Sequence, residues 1–230
     1  MEDKGRRQVI NYSFYKLDKD WYRQTKATRN KALKALLKVF KDYSKELTLN
    51  AYSTLGIRAE CDFMFWRIGD TLEAFEQMSS DLMNSSIGKF IHPVYSFLSM
   101  TKYSRYVSKH KEMKIKGRRI EVSPGKKKYL FVYPFVKKAE WYQLSDATRK
   151  TMMKEHINAG ILFPSIKINT SYSFGIDDQE QVVGFETDHP EDFLDLVEAM
   201  RFHKARPYTE RDIPIITCIY KDIEKLINIL

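Results

Sequence analysis

The residues that can carry chemistry are few. The chain has five histidines, His92, His110, His156, His189 and His203, and none stands in an HxxH or HExxH spacing, so zinc catalysis has no frame. Its two cysteines, Cys61 and Cys218, lie in separate segments without a CxxC, which argues against a disulfide scaffold or a thiolate metal site. There is no GxGxxG, GxxxxGK[ST] or GxSxG, so the phosphate cradle and the nucleophile elbow are both missing. Asp177-Asp178 follow Gly175 and read as a hairpin turn rather than a metal pair. What remains is His156, set among Met152, Met153, Ile157, Ile161 and Leu162. A histidine in such company is either a hydrogen-bonded core residue or a neutral imidazole of the kind that ligates a haem iron.

The elements that would position it follow from an internal repeat. Tyr12-Ser13-Phe14-Tyr15-Lys16, Trp21-Tyr22 and Ala27-Thr28-Arg29 return as Tyr133-Pro134-Phe135-Val136-Lys137, Trp141-Tyr142 and Ala147-Thr148-Arg149, about 120 residues later. Tyr52-Ser53 returns as Tyr172-Ser173, Gly56-Ile57 as Gly175-Ile176, and Asp70…Glu73 as Asp188…Glu191, the last pair reading as capping boxes. Each half predicts the order β-α-β-β-α-β. In the first half Leu33, Leu36, Leu37, Phe40 and Tyr43 give the first helix its apolar stripe; in the second, Ser145 caps a helix through His156. That order is the ferredoxin-like unit, so the fold class is α+β, two tandem ferredoxin-like units pairing their sheets as a dimeric α+β barrel. The expected organisation is a first half over 1–108, a basic connector over 109–127 and a second half over 128–230.

Duplication separates shared architecture from unshared chemistry. Trp21/Trp141 and Arg29/Arg149 occur in both copies and are expected to serve the fold. His156 does not: at an offset of 120 its counterpart is Leu36, in the middle of an apolar stripe.

Composition narrows the function classes. Of 230 residues, 39 are Lys or Arg and 30 Asp or Glu, a net charge of +9, and 43% are apolar. The basic excess collects in Lys111–Arg119 and Lys126–Lys128 without any nucleic-acid motif, so no nucleic-acid partner is expected, and a solvated connector or attraction for an anionic ligand is. The longest nearly apolar run, Tyr129–Val136, is far short of the roughly 20 residues of a membrane span. The first residues have no apolar signal core, and the expected location is cytoplasmic.

The second half resembles the chlorite dismutase-like family, which includes coproheme decarboxylases. The resemblance rests on Tyr133-Pro134 with Lys137, Trp141-Tyr142, Arg149…Met152-Met153-Lys154-Glu155-His156, Gly175-Ile176-Asp177-Asp178 and Ala199-Met200-Arg201-Phe202, with Tyr95–Tyr106 similar to the family's central strand and linker. It implies a divergent or archaeal-type member, two ferredoxin-like units per chain, and a homo-oligomer, commonly a pentamer. It implies haem, as coproheme or haem b, with porphyrin and peroxide as partners. By position, His156 matches the proximal iron ligand. Tyr133 matches a redox-active tyrosine able to lose an electron and a proton. Lys137 matches a lysine that pairs with a carboxylate or supplies a proton. Arg119 matches an arginine that clamps a propionate, and otherwise reads as a solvated cation of the connector. Trp141, Met153 and Asn169 complete the implied cofactor contacts. Two departures stand out. The distal position, an arginine in chlorite dismutases and a glutamine in decarboxylases, falls on Asn169, or with a one-residue gap on Ile168 or Thr170. His203-Lys204 occupy the stretch where the family keeps a glutamate for the proximal imidazole. The implied reaction is therefore peroxide-dependent coproheme decarboxylation rather than chlorite dismutation, the alternative being a haem or porphyrin carrier or sensor.

Overall fold

A computed structural model describes residues 7–102, 106 and 121–230. Most of the predicted connector, Arg119 included, lies outside the described residues. In chain order the elements are strand β1 (Val9–Leu17), helix α1 (Lys26–Tyr43), strands β2 (Thr48–Ser53) and β3 (Phe63–Gly69), helix α2 (Glu73–Asn84) and strand β4 (Ile91–Met100). There follow strand β5 (Tyr129–Lys137), helices α3 (Ala139–Gln143) and α4 (Asp146–Ile161), strands β6 (Lys167–Tyr172) and β7 (Gln181–Thr187), and helix α5 (Pro190–Arg201). Strands β8 (Thr209–Arg211) and β9 (Ile216–Lys221) and helix α6 (Ile223–Ile227) complete the order. The doubled β-α-β-β-α-β pattern is present, and the architecture is α+β with antiparallel sheets.

The chain divides into two compact units, Met1–Met100 with Ile216–Leu230, and Thr101–Ile215. In the first, the strands run in the order β4-β1-β3-β2, and β9 adds to the free edge of β2 through Ala51↔Lys221 and Tyr52↔Tyr220. The strand that the repeat places at the end of the second copy is thus paired with the first. In the second unit the order is β6-β7-β5-β8.

Helices α1, α2 and α5 each bury one face because their apolar residues recur at helical spacing. In the first unit Ala32, Leu36 and Phe40 of α1 are buried, and the Phe40 and Phe65 rings stand 5.3 Å apart. Trp21 is buried beside them, and its indole N–H donates to the Leu230 carbonyl, with Arg29 donating to the same oxygen. Beneath α2, Arg67 is buried and donates five hydrogen bonds to neutral acceptors: Asn11 Oδ1 twice, Ser13 Oγ, Ser79 Oγ and the Phe75 carbonyl. In the second unit the core gathers Phe131, Val183, Phe185, Phe193 and Leu196.

The caps depart in part from expectation. Thr25 and Ser145 cap α1 and α4 by accepting from the backbone N–H of Thr28 and Thr148. The two predicted capping boxes are not formed: α2 and α5 start after Leu72 and His189 without a side-chain cap. Asp188 instead accepts from Lys127 Nζ and from the Lys128 backbone N–H, tying the start of β5 to the end of β7. The Asp177-Asp178 turn is as expected, with Gly175 at φ 72° and Ile176 N–H donating to the Ser173 carbonyl.

Candidate functional site

Register decides which residues of the two copies correspond. β1 and β5 have the same length and lie 120 positions apart, and β3 maps onto β7 at 118, as Phe75 maps onto Phe193. Ser13 pairs with Phe65, and Tyr133 pairs with Val183. The counterpart of Tyr133 is therefore Ser13, not Tyr12 as the sequence clusters suggest. Tyr12 pairs with Trp66 one step along and points to the opposite face, since a one-residue slip exchanges the two faces of a strand. On the same register Lys137 replaces Leu17 and His156 replaces Leu36. All three residues with chemistry are therefore absent from the first copy.

They come together. Tyr133 and Lys137 from β5, His156 from α4, and Val197, Met200, Arg201, His203, Ala205, Arg206, Thr209 and Asp212 line one cleft on the helix-covered face of the second sheet. Its void is about 70 Å³.

The floor under α4 has lost its filling. α1 buries Ala32, Leu36 and Phe40, whereas α4 fully buries only Ala159. The position of the Phe40 ring is held by Gly160, whose added Cβ would meet only Ile168 Cδ1, at 3.5 Å. Met152, Met153, His156 and Ile157 are half-buried rather than packed. Leu162, by contrast, stands out in solvent at 77% exposure and takes no part in this floor.

Burial controls the protonation states. His156 is pushed down to about 4, first by burial and then by Lys137 and His203 beside it, so its imidazole is neutral at pH 7 with a free lone pair. Lys137 is pushed down to about 8 by burial and by Arg206, against the opposing pull of Glu180. Its ammonium lies 4.5 Å from the Trp141 ring centre and 5.1 Å from that of Phe135, and donates to the Ala205 carbonyl at 3.2 Å. The Tyr133 phenol is pushed up by burial and by Asp212 and stays protonated. Burial works to raise Asp212, but hydrogen bonds from Arg206 Nη1 at 2.6 Å and Arg201 Nη1 at 2.8 Å outweigh it and hold the carboxyl below its usual range. His203 lies beside His156, ring centres 6.1 Å apart and planes at 78°.

The other sequence-derived residues are placed as follows. Trp141 is buried, does not reach the cleft, and supports Lys137 from behind. Met153 is half-buried on α4 and is not part of the lining. Asn169 does not join the group: it pairs with Gly184, on the sheet face opposite Val183 and Phe185, and its amide donates to Glu186 Oε1 at 2.9 Å. Ile168 and Thr170, paired with Phe185 and Val183, take the helix-covered face instead. Arg206 and Asp212 escape sequence reasoning because they lie in the aperiodic stretch after α5; the signal available was three charges, Arg201, Arg206 and Asp212, closely spaced around it.

The fold and the chain's similarities point one way. The profile of the chlorite dismutase family matches residues 29–221. The chain belongs to the chlorite dismutase family. Among its relatives, a coproheme decarboxylase from Mycolicibacterium smegmatis is 31% identical over 177 residues, 76% of this chain and 74% of that one. A chlorite dismutase from Ideonella dechloratans is 24% identical over 225 residues, 96% of this chain and 79% of the other. The fold of this family member matches a mutant chlorite dismutase from Candidatus Nitrospira defluvii with a TM-score of 0.89 at 23% identity, covering 96% and 94% of the two chains. It also matches a haem-binding protein from Thermus thermophilus with a TM-score of 0.83 at 21% identity, over 96% and 94%. No described helix is long and apolar enough to cross a membrane, and no three His, Cys, Asp or Glu among the described residues gather as a metal cluster. A haem iron needs only one protein ligand, and a buried neutral imidazole fits it.

Proposed function

We propose that this protein is a haem-dependent oxidoreductase whose activity is most like peroxide-dependent coproheme decarboxylation. The observation that carries the reading is the convergence of Tyr133, Lys137 and His156 on one cleft whose counterpart in the first copy offers only Ser13, Leu17 and Leu36. The donor set suits an iron porphyrin, and Gly160 leaves room for a flat ring where a phenyl stood. A void of about 70 Å³ is small against the 300–1,000 Å³ of small-molecule sites, so seating a tetrapyrrole requires the cleft to widen.

When bound, an iron porphyrin supplies the redox chemistry with peroxide. His156 offers its lone pair to the metal without first losing a proton. Tyr133 keeps its phenolic proton and can give up an electron and that proton together, at the oxygen. Lys137 titrates close to neutrality, so it can pair with a carboxylate or return a proton. Arg201 and Arg206 each use one terminal nitrogen on Asp212, and their remaining N–H groups suit a propionate. Arg119 keeps its proposed part as a further propionate clamp.

Mixing the protein with ferric coproporphyrin should give a Soret shift that His156→Ala abolishes. Added peroxide should yield a product lighter by two carbon dioxides and four hydrogens by mass spectrometry, each propionate becoming a vinyl as one peroxide is reduced to water, and Tyr133→Phe should bind but not form it. Absence of any decarboxylated product rejects the enzyme. A second reading, a porphyrin carrier or sensor, is supported by the small void and by the uncharged Ile168 and Thr170 facing the helices; it predicts the Soret shift without product. With no cation at Ile168, Asn169 or Thr170 on β6, chlorite dismutation is not proposed.

A further inference from the structure

The cleft contains a second imidazole with an unassigned role. His203 follows α5 and sits within ring contact of His156. Its Nδ1 is buried and has no hydrogen-bond partner, which is costly for a polar atom in the interior. The two histidines are held in step by their neighbours, for Glu155 accepts from the backbone N–H of Lys204 at 3.3 Å. A linear N–H···N hydrogen bond between imidazoles puts the ring centres roughly 5 Å apart. The observed 6.1 Å is about an ångström longer, a gap that a small turn of either ring closes. The carboxylate in the lining, Asp212, does not compete for this place, because Arg201 and Arg206 hold it.

Resting on the haem reading above, we propose that His203 is the positioning residue of the proximal ligand: its Nδ1 accepts the N–H of His156 while the other nitrogen of His156 faces the metal. A histidine bound to metal usually donates its remaining N–H to a carboxylate, a carbonyl or water, and the charge on that acceptor sets how strongly the imidazole donates. A neutral imidazole acceptor pulls less on the proton than a carboxylate does. The proximal ligand is then oriented as in a carboxylate-supported site but donates less charge, which favours the ferrous state.

The test is the iron–histidine stretching frequency of the ferrous protein reconstituted with haemin and reduced, read by resonance Raman. His203→Glu should raise it and lower the reduction potential, His203→Leu should lower it, and His203→Gln, which keeps a neutral acceptor, should leave it near the parent value. A frequency that fails to rise in His203→Glu, in protein whose Soret band still depends on His156, overturns the proposal. Should His203→Leu fail to fold, the Glu and Gln variants decide alone. If haemin gives no His156-dependent Soret band at all, the haem reading itself falls.

Discussion

Replacing His156 by the leucine of the first copy should change how the haem-free protein responds to acid. In the unfolded chain this imidazole titrates at 6.5, and in the folded chain at about 4. The folded value is the lower one, so below pH 6.5 the unfolded state binds the proton first and stability falls as pH drops from there toward 4. At 1.36 kcal/mol for each tenfold, the whole penalty is about 3 kcal/mol, and about 2 kcal/mol of it develops between pH 7 and pH 5. Urea denaturation of parent and His156→Leu at these two pH values isolates the contribution, because every other titrating group is common to both proteins. The parent should lose about 2 kcal/mol more than the variant across that interval. Parallel losses would refute the claim that this imidazole is held neutral by burial. With haemin bound, the acid sensitivity of the parent should persist and extend below pH 4, since metal and proton compete for one lone pair and only the unfolded chain is then free to take the proton.

Four further outcomes follow from the packing and the charges. Gly160→Ala should stabilise the haem-free protein by about 0.5–1 kcal/mol, because the added methyl meets only Ile168 at contact distance, and should raise Tm by about 2 °C in calorimetry. Gly160→Phe restores the ring of the first copy and should abolish the haemin Soret shift while leaving the circular dichroism intact. Asp212→Asn removes the negative charge between Arg201 and Arg206 and should tighten coproporphyrin binding several-fold at low salt, an advantage that fades as salt is raised in a fluorescence titration. Arg67→Ala should cost about 3 kcal/mol in urea denaturation, since it leaves a cavity in the first unit's core and strips the Asn11 oxygen of every donor but the Ser13 hydroxyl; a loss below about 1 kcal/mol would refute that accounting.

Much of this architecture is legible in the order of residues. The helices α1 and α4 sit at one constant offset, and their caps, Thr25 and Ser145, are where the pattern puts them. That constancy is why Leu36 and His156 can be matched before any coordinates exist. The strands are harder. β1 carries Tyr12 and Phe14 on one face and Tyr15 on the other, while β5 carries Tyr133 and Phe135 on the face that matches Ser13 and Tyr15. Aromatic residues on both faces make a shift of one position invisible to pattern matching, and only the hydrogen-bonded register shows that Tyr133 has no aromatic counterpart. The same alternation places Asn169 away from the helices. The capping boxes fail for a different reason: Asp188 finds the Lys127 ammonium and the Lys128 N–H, partners that become adjacent only once β5 and β7 are paired.

The first unit closes only when Ile216–Leu230 arrives: β9 extends the β2 edge, and the Leu230 carbonyl receives both Trp21 and Arg29. All of Thr101–Ile215 is translated in between. On the ribosome the amino-terminal unit must therefore wait, with the β2 edge open and the Trp21 indole unsatisfied, until synthesis has run past the second unit.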